Sequence, residues 1–264
     1  MKKGFFIVTV ILSACTAKHL TVSQEQKPAG VVVNGKLFTT IFQQKAAEYR
    51  ALCLQAYNIA WLRLDQYTPT TGKPKAIITD IDETVLDNSP YEAHQTLQGK
   101  DYDPASWYEW TAKAAADTVP GAAAFLKYAA AKGVEIFYIT NREERERLTT
   151  INNLKSYNLP NADDAHFIPK QAISSKEIRR QAVANTHEII MLIGDNLADF
   201  SMLFDKKPMA ERLQNTDRSA KDFGSRFIVL PNPVYGDWES SLFKFNKLTA
   251  AQKDSVIRAE VKTY

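Results

Sequence analysis

Cysteine is nearly missing from this chain: 264 residues carry two, Cys15 and Cys53. So sparse a pair cannot build a disulfide framework. Cys53 lies in an apolar-periodic stretch, where a thiol is expected to be buried and inert. Histidine is scarce too, at four residues, and no histidine-containing haem motif is visible. A dominant charge is also lacking. The formal net charge is +3 and no basic stripe runs along the chain, which argues against a nucleic-acid polymer as partner. Internal repeats and low-complexity segments are absent, so solenoid and array architectures fall away. What is present is ordinary: 45% hydrophobic and 24% charged residues, enough for a sizeable core in one α/β domain with or without a small accessory piece.

The first residues have the composition of a targeting segment. Lys2 and Lys3 precede an apolar run from Phe5 to Leu12 that is too short to span a bilayer. Leu12-Ser13-Ala14-Cys15 follows directly and resembles a bacterial lipobox, which implies lipidation of Cys15 and loss of residues 1–14. More than one acyl chain is needed for stable anchoring. The polar, uneven stretch that comes next is expected to be a tether, ending near residues 33–35.

The chain is organised around Asp80-Ile81-Asp82-Glu83-Thr84, which closes the apolar run Lys75-Ala76-Ile77-Ile78-Thr79. A short apolar run ended by polar residues reads as a buried parallel strand, and open α/β sheets bind ligands beyond that end. Two carboxylates one residue apart can both face such a site. One could attack phosphorus while the other handles protons, with a shared cation holding both near one phosphate.

From Leu37 to Gln66, Phe38, Phe42, Ala46, Tyr49, Leu52, Ala56, Ile59 and Leu62 recur at helical spacing, fitting one or two helices. A Pro- and Gly-containing loop then delivers the chain to Asp80. After that strand the alternation is interrupted by an excursion with its own helix, opened by Ser106-Trp107-Tyr108-Glu109-Trp110, which suggests a cap over the site. Strands are then expected at Val134–Thr140, Ala165–Ile168, Glu188–Gly194 and Phe227–Leu230, with helices over Gly121–Lys132, Arg142–Tyr157 and Ser174–Ala184. The Glu143-to-Arg147 charge run reads as a solvated face. Strands alternating with helices imply a parallel sheet covered on both faces.

Three strand ends carry complementary chemistry. Thr140-Asn141-Arg142 offers a hydroxyl and backbone N–H groups at a helix start. Asp195 and Asp199 stand four apart after the strand ending at Gly194. Lys176 opens a helix, with Lys170 a competing candidate. Aspartates around a hard cation, with a hydroxyl and a lysine for phosphate, make a phosphoryl-transfer site.

Ile78-Thr79-Asp80-Ile81-Asp82-Glu83-Thr84-Val85-Leu86-Asp87-Asn88 and Ile193-Gly194-Asp195-Asn196-Leu197-Ala198-Asp199-Phe200 resemble the two signatures of class C bacterial acid phosphatases, in the haloacid dehalogenase (HAD) superfamily. The resemblance runs from about residue 36 to Tyr235-Gly236-Asp237-Trp238. It implies a Rossmann-like core with a parallel sheet and a smaller helical cap. The segments would be a signal peptide (1–14), lipid-anchored tether (15–35), cap-associated helices (36–72), core (73–90), cap (91–118) and core again (119–264). Also implied are Asp80 as nucleophile, Asp82 as acid and base, and Mg2+ held by Asp80, the carbonyl of Asp82 and Asp195, with Asp199 close by. Phosphate would be held by Thr140, Asn141 and Lys176, although the Lys176–Asp195 spacing is one residue shorter than the family pattern. Trp107 and Tyr235 match positions that flank a nucleobase. The resemblance thus implies a lipid-anchored envelope enzyme, at the outer membrane, acting on nucleoside monophosphates and other phosphomonoesters. Two other readings fit the same residues: a ligand-binding surface lipoprotein, and a phosphotransferase using the same intermediate. The oligomeric state is left open.

Overall fold

The computed structural model describes residues 30–264, so the expectations for the leader and for Cys15 lie outside the described residues. The chain enters as α1 (Val31–Lys45) and α2 (Ala47–Asp65), two helices separated at Ala46, whose ψ of 128° is extended. Helix α1 therefore begins before the expected boundary near residues 33–35. Val32 and Val33 are buried, and Val32 N–H points to Asp254 of the last helix at 3.4 Å.

The sense of α1 is inverted relative to its apolar periodicity. Phe38 is 76% exposed and Phe42 also faces outward, while Lys36, Thr40 and Gln43 point inward. The physical reason is that the surface beneath α1 is polar: Gln43 donates to Asp87 at 2.9 Å and Lys36 to Asp101 at 2.8 Å. On α2, Leu52 and Leu62 are exposed, whereas Tyr49, Cys53, Ala56, Tyr57 and Ala60 form the buried stripe. Cys53 is a buried free thiol, as expected.

The central sheet has five parallel strands in the order β5-β4-β1-β6-β7. In chain order these are β1 (Lys75–Thr79), then a small antiparallel pair β2 (Leu86–Asp87) and β3 (Asp117–Thr118), then β4 (Glu135–Ile139), β5 (Phe167–Ile168), β6 (Glu188–Gly194) and β7 (Phe227–Val229). Helices α3 (Ser89–Leu97) and α4 (Pro104–Thr111) lie between β2 and β3, so the excursion leaves and re-enters the core through one two-stranded ladder. Asp103 caps α4 by accepting from Ser106 N–H at 2.9 Å, with Pro104 at the first helical position.

The remaining helices are α5 (Ala122–Ala131), α6 (Arg147–Ser156), α7 (Glu177–Thr186), α8 (Met209–Arg218), α9 (Asp237–Leu242) and α10 (Ala250–Glu260). The last three were not anticipated. Strand alternation divides the sheet's two faces. Ile77, Ile136, Tyr138 and Ile193 join Tyr57 of α2 and Phe125 of α5 in the larger core, while Ala76, Ile78, Phe137 and Ile139 pack with Val183 of α7 on the other face. The expected cap-associated segment thus splits, α1 packing on α3 and α2 on α5 and β7.

Candidate active site

The central strand β1 delivers its carboxylates by a tight turn. Asp80 N–H still bonds to Ile193 O at 2.9 Å, holding the strand end beside β6. The next side chain, Ile81, is fully buried, and its carbonyl accepts from Val85 and Leu86 at 2.8 Å each. Glu83 takes a left-handed φ of 57° to close the turn. Buried Ile81 acts as an anchor between Asp80 and Asp82, and both of these aspartates line one cavity of about 530 Å³. Tyr57 O–H bonds to Thr84 O and ties the turn to α2.

Beyond β6, Asn196 starts a short turn over Leu197–Asp199, and Asp199 Oδ2 accepts from Asn196 N–H at 3.0 Å. This brings Asp199 against the end of β6 so closely that a Cβ at Gly194 would lie 2.4 Å from its Oδ2. Carboxylate oxygens of Asp80, Asp195 and Asp199 come within 4.8 Å of one another. Asp195 is oriented by Thr84 Oγ1 at 3.1 Å and Asn232 Nδ2 at 2.8 Å. The Lys176 ammonium is buried among them, contacting Asp80 Oδ1 and lying 2.7 Å from Asp199 Oδ1. Of the two candidate lysines, Lys176 lies in the cavity wall and Lys170 does not.

Three carboxylates against one ammonium leave excess negative charge in a buried place. Burial pushes the Asp80 carboxyl well above its ordinary value despite the opposing pull of Lys176. Asp195 is raised to about 7, by burial first and then by the charge of Asp199. For Lys176 burial works against the charged form, yet Asp199 and Asp80 outweigh it and raise its pKa. A cluster of hard oxygen donors with unneutralised charge fits a small divalent cation.

Asp82 faces a different partner. Its Oδ1 accepts from Arg142 Nη2 at 2.8 Å and Nε at 3.0 Å, and from Asn88 Nδ2 at 2.9 Å. Arg142 is 3% exposed and also reaches Thr150 Oγ1 at 3.1 Å. This corrects the picture of a helix start at Thr140-Asn141-Arg142. A cap begins at Glu143, followed by a turn over Glu144–Glu146, and α6 itself begins at Arg147. Nor is the charge run after it uniformly solvated. Glu146 is buried and accepts from Trp107 Nε1 at 3.0 Å.

Thr140 is fully buried; its Oγ1 accepts from Arg142 N–H at 3.0 Å, which leaves the hydroxyl proton free to be donated. Asn141 lines the cavity and is held by Arg179 Nη2 at 2.8 Å. Trp107 lines the cavity yet is largely buried, packed edge-on to Tyr91 at 5.1 Å with Arg142 over its ring at 5.6 Å. The more open cap aromatic is Tyr102, 53% exposed and in the same cavity wall. Tyr235 is half-buried there, its hydroxyl on Glu83. Sequence reasoning missed Arg142, Glu146, Asn88, Asn232 and Tyr102. Signals existed for Arg142, two residues beyond Thr140 at a strand end, and for Asn88, the last residue of the first signature.

Comparison with known proteins identifies the family. The family model described as HAD superfamily, subfamily IIIB (acid phosphatase), matches residues 7–238. A solved class C acid phosphatase from Bacillus anthracis is 40% identical, with a TM-score of 0.85 over 88% of this chain and 99% of that one. The structure of the Bacillus anthracis class C enzyme with tungstate bound superposes with the same score and identity over 89% and 99%. Acid phosphatase 1 of Solanum lycopersicum is 25% identical over 165 residues, 60% of this chain. The chain spans 57% of the length of that curated relative. With a family model matching most of its length and a close structural likeness over nearly all of a solved relative, the chain belongs to the subfamily IIIB acid phosphatases of the HAD superfamily.

Proposed function

We propose that this protein hydrolyses phosphomonoesters through an aspartyl-phosphate on Asp80, with Mg2+ bound by the aspartate cluster and nucleoside monophosphates among its substrates. The observation that carries the proposal is the convergence of Asp80, Asp195 and Asp199 around Lys176 at the C-terminal end of the central strands. Tungstate in a relative's structure supports an oxyanion site in such enzymes.

The chemistry follows from the neighbours of each side chain. A carboxylate oxygen of Asp80 attacks phosphorus as the P–O bond to the leaving group breaks. Asp82 gives its proton to the departing oxygen, and Arg142 and Asn88 hold its Oδ1 in place while it does so. Asp82 then takes a proton from water, which attacks the same phosphorus, releasing phosphate and regenerating Asp80. Lys176, the Thr140 hydroxyl and Asn141 meet the phosphate oxygens as charge develops. Asp80, the Asp82 carbonyl and Asp195 would hold Mg2+, with Asp199 beside them; when bound it offsets the repulsion between carboxylates and the phosphate dianion.

For substrates with a base, Tyr235 and a cap aromatic would flank the ring, each stack contributing about 1–3 kcal/mol with little base preference. Lipidation at Cys15 would tether the enzyme to the cell envelope, at the outer membrane. Cys15→Ser is then expected to abolish partitioning into detergent and to leave specific activity unchanged. The central test is a panel of phosphomonoesters assayed with magnesium and with chelator, on wild type and Asp80→Asn. Activity that survives chelation, or a substantial fraction of turnover retained by Asp80→Asn, would refute the mechanism.

A further inference from the structure

The cavity lining also carries charge that the hydrolysis does not use. Lys36 of α1 lies 2.8 Å from Asp101 of the cap and 3.3 Å from Glu239 of α9, and Lys253 of α10 lies 2.7 Å from Asp101. Two ammonium groups and two carboxylates balance one another there. A further carboxylate, Glu92 of α3, lines the same cavity and is 4% exposed. Among the described residues its carboxylate makes no hydrogen bond and no ion pair.

The Glu92 oxygens are not among the sealed, unpartnered polar atoms of the described residues, so they are satisfied only by what occupies the cavity, water or a ligand. Burial raises Glu92 to about 7, with the nearby charge of Lys36 only partly opposing it. The group lines the same cavity as Asp80, Tyr102 and Tyr235. A volume of about 530 Å³ falls within the range of pockets that enclose whole small ligands. An acceptor with no protein partner in the lining of that cavity can be completed by a donor on the substrate.

We propose that Glu92 is a specificity-determining residue whose carboxylate accepts a hydrogen bond from a donor on the leaving half of the substrate, an amino nitrogen of a base or a sugar hydroxyl. This deepens the phosphomonoesterase reading above and rests on it. Phosphomonoesters with such donors are selected over those without. A merely structural Glu92 would serve as a counterion to Lys36, and its loss would affect every substrate alike.

A cycle between protein and substrate separates these roles. Wild type, Glu92→Ala and Glu92→Gln are each assayed with AMP, purine riboside 5'-monophosphate and 2',3'-dideoxyadenosine 5'-monophosphate. The second substrate lacks only the amino group, and the third lacks the hydroxyls. In wild type assayed above pH 7, where Glu92 is ionised, removing the donor that meets it should lower kcat/KM about 10- to 150-fold, the range for a hydrogen bond to a charged group. In Glu92→Ala that penalty should vanish. In Glu92→Gln, which keeps a neutral acceptor, it should shrink. The arm that responds identifies the donor. If neither penalty changes in Glu92→Ala, or in Glu92→Gln should the alanine variant not fold, the assignment of Glu92 is overturned. Wild type inert even to 4-nitrophenyl phosphate with magnesium would overturn the phosphomonoesterase reading, and this inference with it.

Discussion

Adding one methyl group at Gly194 should disable the site from behind. Gly194 has no left-handed φ, so the backbone itself accepts alanine. Space decides the outcome: the new Cβ would lie 2.4 Å from Asp199 Oδ2, 2.6 Å from its Cβ and 2.8 Å from its Cγ. Asp199 cannot swing aside freely, because Oδ2 accepts from Asn196 N–H at 3.0 Å and Oδ1 pairs with Lys176 at 2.7 Å. Overpacking of this kind costs about 1–3 kcal/mol, which for a domain of this size lowers Tm by roughly 2–12 °C. If Asp199 is pushed off Lys176, a buried ammonium also loses a partner, and breaking a buried pair costs about 3–5 kcal/mol more. The expected result is a lower Tm, a weaker magnesium response and turnover reduced at least about tenfold. Gly35→Ala is the control. It lies in α1 with nothing within 4 Å of its added Cβ, and should raise stability by about 0.4–1 kcal/mol. Thermal unfolding and magnesium titration of both variants decide the matter. Gly194→Ala with an unshifted Tm and full activity would refute the claim that this close approach builds the cluster.

The part of the site carried by strand ends was legible in the sequence. Apolar runs closed by Asp80 and by Gly194-Asp195 announce buried parallel strands, and parallel strands converge their C-terminal ends by topology alone. The adjacency of β1 and β6, which brings Asp80 beside Asp195, is set by the strand order, which alternation alone does not give. Lys176 was legible only as one of two lysines, since a loop's course fixes which one enters the cavity.

What the sequence hid is the burial of charge. Arg142 meets Asp82 across 60 residues and Glu146 meets Trp107 across 39. A charge run is solvated by default, and only a partner brought by the fold overturns that default. The same cause inverted α1. Its apolar residues are spaced as if for a core, yet Lys36 finds Asp101 and Glu239 beneath it, and Phe38 is left outside. Periodicity reports that a helix has two faces; it does not report which one the neighbouring surface will accept.

Three further outcomes test the chemistry. Asp195→Asn should weaken magnesium binding more than Asp199→Asn, whose loss is expected near 10- to 100-fold, and the reverse order in titrations would exchange their roles. In chelator, raising the pH from about 5 to 8 should lower Tm. The Asp195 carboxyl, raised to about 7 when folded, contributes stability that is fully present below its ordinary value near 3.8 and is lost as pH rises through about 7. Asp80 is raised in the same direction, and magnesium should remove part of the loss by taking up the exposed charge. A Tm that rises over that interval in chelator would show that the carboxylates are not crowded. The last outcome separates the cap aromatics. Tyr102 is open to the cavity, so Tyr102→Ala, like Tyr235→Ala, should lower kcat/KM for a nucleotide relative to glycerol phosphate by about 5- to 150-fold. Trp107 is packed on Tyr91, bonded to Glu146 and covered by Arg142. Its truncation should therefore cost about 3–5 kcal/mol of stability and loosen Arg142, the residue that holds Asp82. Both substrates would then suffer alike. A substrate ratio that falls in Trp107→Ala and stays fixed in Tyr102→Ala would instead make the buried tryptophan the stacking face, and Tyr102 a bystander at the cavity mouth.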